Sequence, residues 1–89
     1  MQVTVISPAG AVLEATADSV VVPAYDGEVG ILPRHAPFMT LLGEGTVTIR
    51  NGERLRRVRV RGGFLQVAND AVRVVAEYTE DPDGEANAT

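Results

Sequence analysis

Apolar and polar positions alternate with a period of two along nearly the whole chain, and no stripe of helical spacing survives a count. Val3 and Val5, Val20 and Val22, Val47 and Ile49, Val58 and Val60, and Val72 and Val74 each bracket a residue of the opposite face. Turn-forming groups separate these runs, at Pro8-Ala9-Gly10, Asp26-Gly27, Gly43-Glu44-Gly45, Asn51-Gly52, Gly62-Gly63 and Asn69-Asp70. Short strands with turn signals roughly every 8–12 residues predict an all-β sandwich or barrel.

The sharpest local prediction is a hairpin closed by Asn51-Gly52, the pair preferred for a two-residue type I′ turn. Closure there sets Arg50 opposite Glu53 and Ile49 opposite Arg54. Val47, Ile49, Val58 and Val60 then share one face, and Thr46, Thr48, Arg57, Arg59 and Arg61 the other. Arg54 and Arg56 fall on the apolar side near the tip, where their stems can lie on the sheet while the charged heads reach water.

Residues 22–37 are the most constrained stretch, combining Pro23, Pro33 and Pro37 with Gly27, Gly30 and the single histidine, His35. Proline fixes φ and holds its predecessor extended, while glycine reaches positive φ. The segment predicts a shaped surface loop with a short strand over 28–32 between two turns. An apolar strand follows from Phe38. Phe38 and Met39 have opposite parity, so one of them faces away from the core, and with Ile31, Leu32 and Pro33 it offers an interaction surface. After Ala76 the alternation ends. Residues 78–89, acidic and carrying Pro82 and Gly84, read as a disordered tail behind a folded domain spanning 1–77.

With 89 residues the chain makes one domain, and with no cysteine it has neither disulfides nor thiolate chemistry. No apolar run reaches the ~18 residues of a membrane span, so no direct membrane insertion is expected. The net charge of −4 argues against nucleic acid as a partner, and no aromatic platform lies beside the arginine-rich stretch 50–61. His35 is the candidate for acid–base chemistry, but nothing in the sequence supplies it an orienting partner or a pocket. One histidine among scattered carboxylates gives no metal-ligand spacing, and Gly27 and Gly30 precede strands rather than a phosphate-binding helix. The residues alone predict no catalytic group, no cofactor and no metal.

The run Gly27-Glu28-Val29-Gly30-Ile31-Leu32-Pro33-Arg34-His35-Ala36-Pro37 resembles the signature of the epsilon subunit of bacterial F-type ATP synthases, counterpart of the mitochondrial delta subunit. The resemblance extends to an opening strand at residues 3–8, to Gly62-Gly63-Phe64-Leu65-Gln66-Val67, and to a closing strand at 72–76. It implies a flattened ten-stranded β-sandwich, and a non-catalytic rotor subunit binding the gamma subunit and the polar loops of the c-ring. Such a subunit is peripheral to the cytoplasmic face of the bacterial inner membrane. By the same resemblance Glu28 faces the c-ring loops and His35 lies beside the ring and the foot of gamma. Ile31, Leu32, Pro33, Arg34, Phe38 and Met39 join this interface, and Gly27, Gly30, Pro33 and Pro37 hold its shape. Longer members continue into two helices that inhibit ATP hydrolysis and, in some, bind ATP. Residues 78–89 match neither helix, so the chain resembles the short form with a natural terminus, without helix inhibition or ATP binding. Beside this stand a free-standing interaction module and a small-ligand β-barrel enzyme around His35.

Overall fold

The structure, a computed structural model, describes residues 1–80. Eight strands follow one another: β1 (Gln2–Ser7), β2 (Gly10–Thr16), β3 (Ser19–Ala24), β4 (Gly27–Ile31), β5 (Phe38–Leu41), β6 (Glu44–Asn51), β7 (Arg54–Ala68) and β8 (Ala71–Glu80). They form one sheet in the order β2-β1-β8-β7-β6-β3-β4, with β5 also paired to β7. The count is eight rather than the ten expected. β7 and β8 are long enough to serve both layers, so counting each of them twice accounts for the difference.

The layer change is encoded at Gly62-Gly63. Up to Arg61, β7 pairs with β6; from Phe64 onward the same edge pairs with β5. Gly62 and Gly63 lie at φ 71 and φ 107, a region that side chains disfavour. A Cβ on Gly63 would stand 1.9 Å from the Val75 carbonyl oxygen, so only glycine lets β7 bend over β8 here. The register with β8 is the same on both sides, Arg61 opposite Tyr78 and Gly63 opposite Ala76, which makes the feature a bend and not a bulge.

One layer then holds β2, β1, β8, β7 and β5, and the other β8, β7, β6, β3 and β4. Inward residues from both, including Val3, Val5, Leu65, Val67, Val72 and Val74 against Val20, Val22, Val47, Ile49, Val58 and Val60, form a single cluster. Among the described residues no polar or charged side chain is buried. Burying one such valine contributes about 1.5–3 kcal/mol, and β-branched side chains suit the pleated surface. β1 joins β8 in parallel, the one non-antiparallel pairing of the described strands.

The hairpin forms at Asn51-Gly52, but its register departs from the expectation. Asn51 pairs with Arg54, Arg50 with Leu55 and Ile49 with Arg56, so Gly52 and Glu53 are the turn residues. Gly52 at φ 63, ahead of Glu53, matches the glycine-first II′ pattern rather than I′. Packing decides the outcome: this register sets Val47 opposite Val58, whereas the expected one sets Val47 opposite Arg56. A shift of two leaves every face unchanged. Asn69 and Asp70, at φ 53 and φ 61, make the true I′ turn, between β7 and β8.

β8 runs to Glu80, past the expected boundary at 77. Tyr78 pairs with Arg61, whose guanidinium carbon lies 4.7 Å from the ring centroid. The disorder expected of the tail concerns residues 81–89, which lie outside the described residues.

Candidate protein-interaction site

The constrained segment begins at the β3–β4 turn, Tyr25-Asp26, closed by Ala24 opposite Gly27. Gly27 sits at φ 130 and so has a conformational reason to be glycine. Gly30 has none: its φ is not positive and an added Cβ would meet nothing within 4 Å. Gly30 therefore does not shape the loop, contrary to expectation. β4 carries Glu28 and Gly30 on its outer face, and Ile31 inward at 1% exposure. Ile31 is a core residue with almost no surface to offer, contrary to the interface place expected of it, because a strand's period of two sends it to the side opposite Glu28 and Gly30.

Beyond β4 the His35 N–H donates to the Leu32 carbonyl at 3.1 Å, closing a turn with Pro33 second and Arg34 third. Arg34 takes φ 68, as the third position of a type II turn requires, although glycine or asparagine is usual there. The turn is braced from outside. The Arg34 N–H donates to Asp70 Oδ1 at 2.9 Å, and Asp70 Oδ2 lies 3.9 Å from the Met1 ammonium. Sequence reasoning marked Asn69-Asp70 as a turn and did not find this tether. The aspartate at a left-handed turn position was the available signal.

His35 is spent on the loop itself. Its Nδ1–H donates to the Ala36 carbonyl at 2.8 Å, and its ring lies 5.0 Å from that of Phe38, tilted by 49°. Phe38 is half-buried against the core, and Pro33, Arg34 and Pro37 are exposed. Among the described residues no three histidine, aspartate or glutamate side chains stand close enough to hold a metal.

The exposed large apolar residues concentrate here. Tyr25, Leu32, Met39 and Leu41 are all more than 60% exposed, and the Tyr25 N–H donates to the Leu41 carbonyl at 3.0 Å. Leu32 and Met39 were expected on the surface. Tyr25 was missed, and Leu41 was not assigned to the interface, although it shares the outward parity of Met39. Leu32 does not cluster with Glu28. Along β4 the side chain of Glu28 and the turn at Leu32 are separated by roughly 13 Å at ~3.3 Å per residue. Glu28 lies at the end of the sandwich that holds Tyr25-Asp26, and His35 at the end that holds Asp70 and the N-terminus.

A β-sandwich that carries exposed large apolar side chains on and beside a shaped loop is an interaction domain in class. Comparison with known proteins gives the family. Residues 1–82 match the model of the ATP synthase delta/epsilon chain, beta-sandwich domain. The chain is 42% identical to the ATP synthase epsilon chain of Leptospira borgpetersenii, the match covering 97% of this chain and 70% of that one. It is 40% identical to the epsilon chain of Desulforamulus reducens, over 89% of this chain and 60% of that one. Its fold matches a chain of the Tetrahymena thermophila mitochondrial ATP synthase central stalk/c-ring structure, with TM-score 0.75 and 16% identity, over 91% of this chain and 66% of that one. A chain of the Euglena gracilis mitochondrial ATP synthase OSCP/F1/c-ring structure matches with TM-score 0.81 and 18% identity, over 89% and 51%. The chain belongs to the ATP synthase delta/epsilon family and matches its β-sandwich domain.

Proposed function

We propose that this domain couples rotation between the gamma subunit and the c-ring of a proton-translocating F-type ATP synthase at the cytoplasmic face of a bacterial inner membrane. The family match over residues 1–82 carries the reading. The site divides the work between two contacts. Glu28, exposed beside the Tyr25-Asp26 turn, meets basic side chains of the polar c-ring loops. Leu32, Met39 and Leu41, with Tyr25 alongside, pack against gamma, and Pro33, Arg34 and His35 form the rim of that contact. Ile31 and Phe38 support it from beneath.

A contact that transmits torque has to resist deformation, and three features supply stiffness. Pro33 and Pro37 fix φ, the Leu32–His35 turn is closed by a hydrogen bond, and Asp70 ties Arg34 to the β7–β8 turn. Gly30 leaves the outer face of β4 without a side chain beside Val21, its partner in β3. Strand glycines of this kind mark close approach of another backbone.

The test is Glu28→Arg in membranes carrying the assembled complex. ATP hydrolysis is expected to persist while ATP-driven proton pumping falls severalfold. Pumping equal to wild type would remove Glu28 from the c-ring contact. Tagged chain that recovers no ATP synthase subunits from those membranes would overturn the coupling role itself.

A further inference from the structure

The two outer faces of the sandwich differ in charge. On the layer of β8, β7, β6, β3 and β4 the outward side chains are rich in charge. Arg59 lies opposite Glu80 and 3.8 Å from Glu44, Arg61 stacks on Tyr78, and Arg50 and Arg57 are exposed beside them. The other layer presents a different face. Leu65, Val67, Val72 and Val74 point into the core, so Phe64, Gln66, Arg73 and Val75 point out. The strand registers align them with β5. Val75, Phe64 and Leu41 form one row across three strands, and Arg73, Gln66 and Met39 form the next. Val75 and Phe64 are half-buried, while Leu41 and Met39 are exposed.

Arg73 is the single charge in these two rows. It is exposed and forms no ion pair among the described residues. Asp70 is already engaged by the Arg34 N–H and the Met1 ammonium. Glu14 lies two strands away through Thr4, roughly 10 Å at ~4.8 Å per strand. A hollow of about 290 Å³, lined by Gln66, Ala68, Asn69, Ala71 and Arg73, opens beside the guanidinium. The centres of protein interfaces are depleted in charge and enriched in aromatic residues, methionine and arginine. A guanidinium covered there requires a carboxylate opposite it, because an unpaired buried charge is costly.

We propose that gamma lies across the outer face of β5, β7 and β8, and that a carboxylate of gamma enters the hollow to pair with Arg73. The inference rests on the coupling reading and extends its gamma contact, since Met39 and Leu41 belong to both and make the surface continuous. A second copy of this chain is the weaker occupant. Its own matching face offers Arg73 no carboxylate except Glu14 at the border.

The experiment titrates the fluorescently labelled full chain onto the F1 complex stripped of it, with binding read by anisotropy. Arg73→Gln is expected to weaken binding by about tenfold or more, as loss of a charge-assisted pair requires. Arg59→Gln makes the same charge change on the opposite face and is expected to leave affinity within about twofold. Thermal melts of both variants are expected to match wild type, since both positions are exposed. Arg73→Glu is expected to bind weakly and to be restored by reversing one Asp or Glu of gamma to Arg. Wild-type affinity of Arg73→Gln, or equal weakening by both Gln variants, would overturn the inference while leaving gamma binding intact. A wild-type chain that does not rebind the stripped complex would overturn the coupling reading itself. Dimers of the chain alone that Arg73→Gln dissolves, with rebinding unchanged, would assign the face to a second copy and overturn the gamma contact there.

Discussion

Replacing Gly63 with alanine attacks the point where β7 passes from one layer to the other. Two costs add. A non-glycine residue held at φ 107 costs about 1–3 kcal/mol. The new Cβ also meets the Val75 carbonyl oxygen at 1.9 Å and the Ala76 Cα at 3.1 Å. Both are backbone atoms and cannot rotate away, so β7 and β8 have to part locally, an overpacking cost of about 1–3 kcal/mol. The sum, about 2–6 kcal/mol, compares with a total stability of about 4–12 kcal/mol for a domain of this size. At ~4–8 °C per kcal/mol, the melting temperature is expected to fall by at least about 10 °C. Gly62→Ala is milder, because its closest contact is the movable Glu77 carboxylate, 2.6 Å from the added Cβ. Gly30→Ala is the control, with ordinary φ and nothing within 4 Å, and is expected to stabilise the isolated domain by about 0.4–1 kcal/mol. Thermal melts by circular dichroism read all three. If Gly63→Ala melted within a few degrees of Gly30→Ala, the steric account of the layer change would be wrong.

Three further outcomes follow from the same geometry. Arg34→Gly relieves a side chain at φ 68 and should stabilise the isolated domain by about 0.5–1 kcal/mol, seen as a higher urea midpoint at unchanged m-value. Asp70→Ala removes the acceptor for the Arg34 N–H and the partner of the N-terminal ammonium, at a cost of about 1–2 kcal/mol. Faster hydrogen exchange at the Arg34 amide would locate that loss. Glu28→Arg, at an exposed position, should leave stability within about 0.5 kcal/mol, so a change in pumping would report the contact and not the fold.

Strand identities were legible because the core is built from alternating valines, and a period of two needs no tertiary information. The Gly62-Gly63 bend was legible as a break, but its purpose was not, since a strand with two successive partners looks locally like any other. The parallel pairing of β1 with β8 joins the two ends of the described chain, and no turn between neighbouring strands specifies it. The hairpin register failed on turn chemistry alone: Asn-Gly favours one closure, and the Val47–Val58 pairing outweighs it. At the candidate site, parity was available and under-used. Counting by two from Glu28 and Gly30 sends Ile31 to the core, and counting by two from Met39 brings Leu41 to the surface. The bracing of Arg34 by Asp70 spans the chain and leaves no trace in local sequence.

The most direct test of the coupling account is site-specific photocrosslinking in the assembled complex. A photoreactive residue is placed in turn at Glu28, at Met39 and at Glu14 on the outer strand β2, and the captured subunits are identified by mass. The account predicts capture of the c subunit from position 28, of gamma from position 39, and of neither from position 14. Capture of neither subunit from positions 28 and 39 in intact, active complex, or the same partners from position 14, would contradict it.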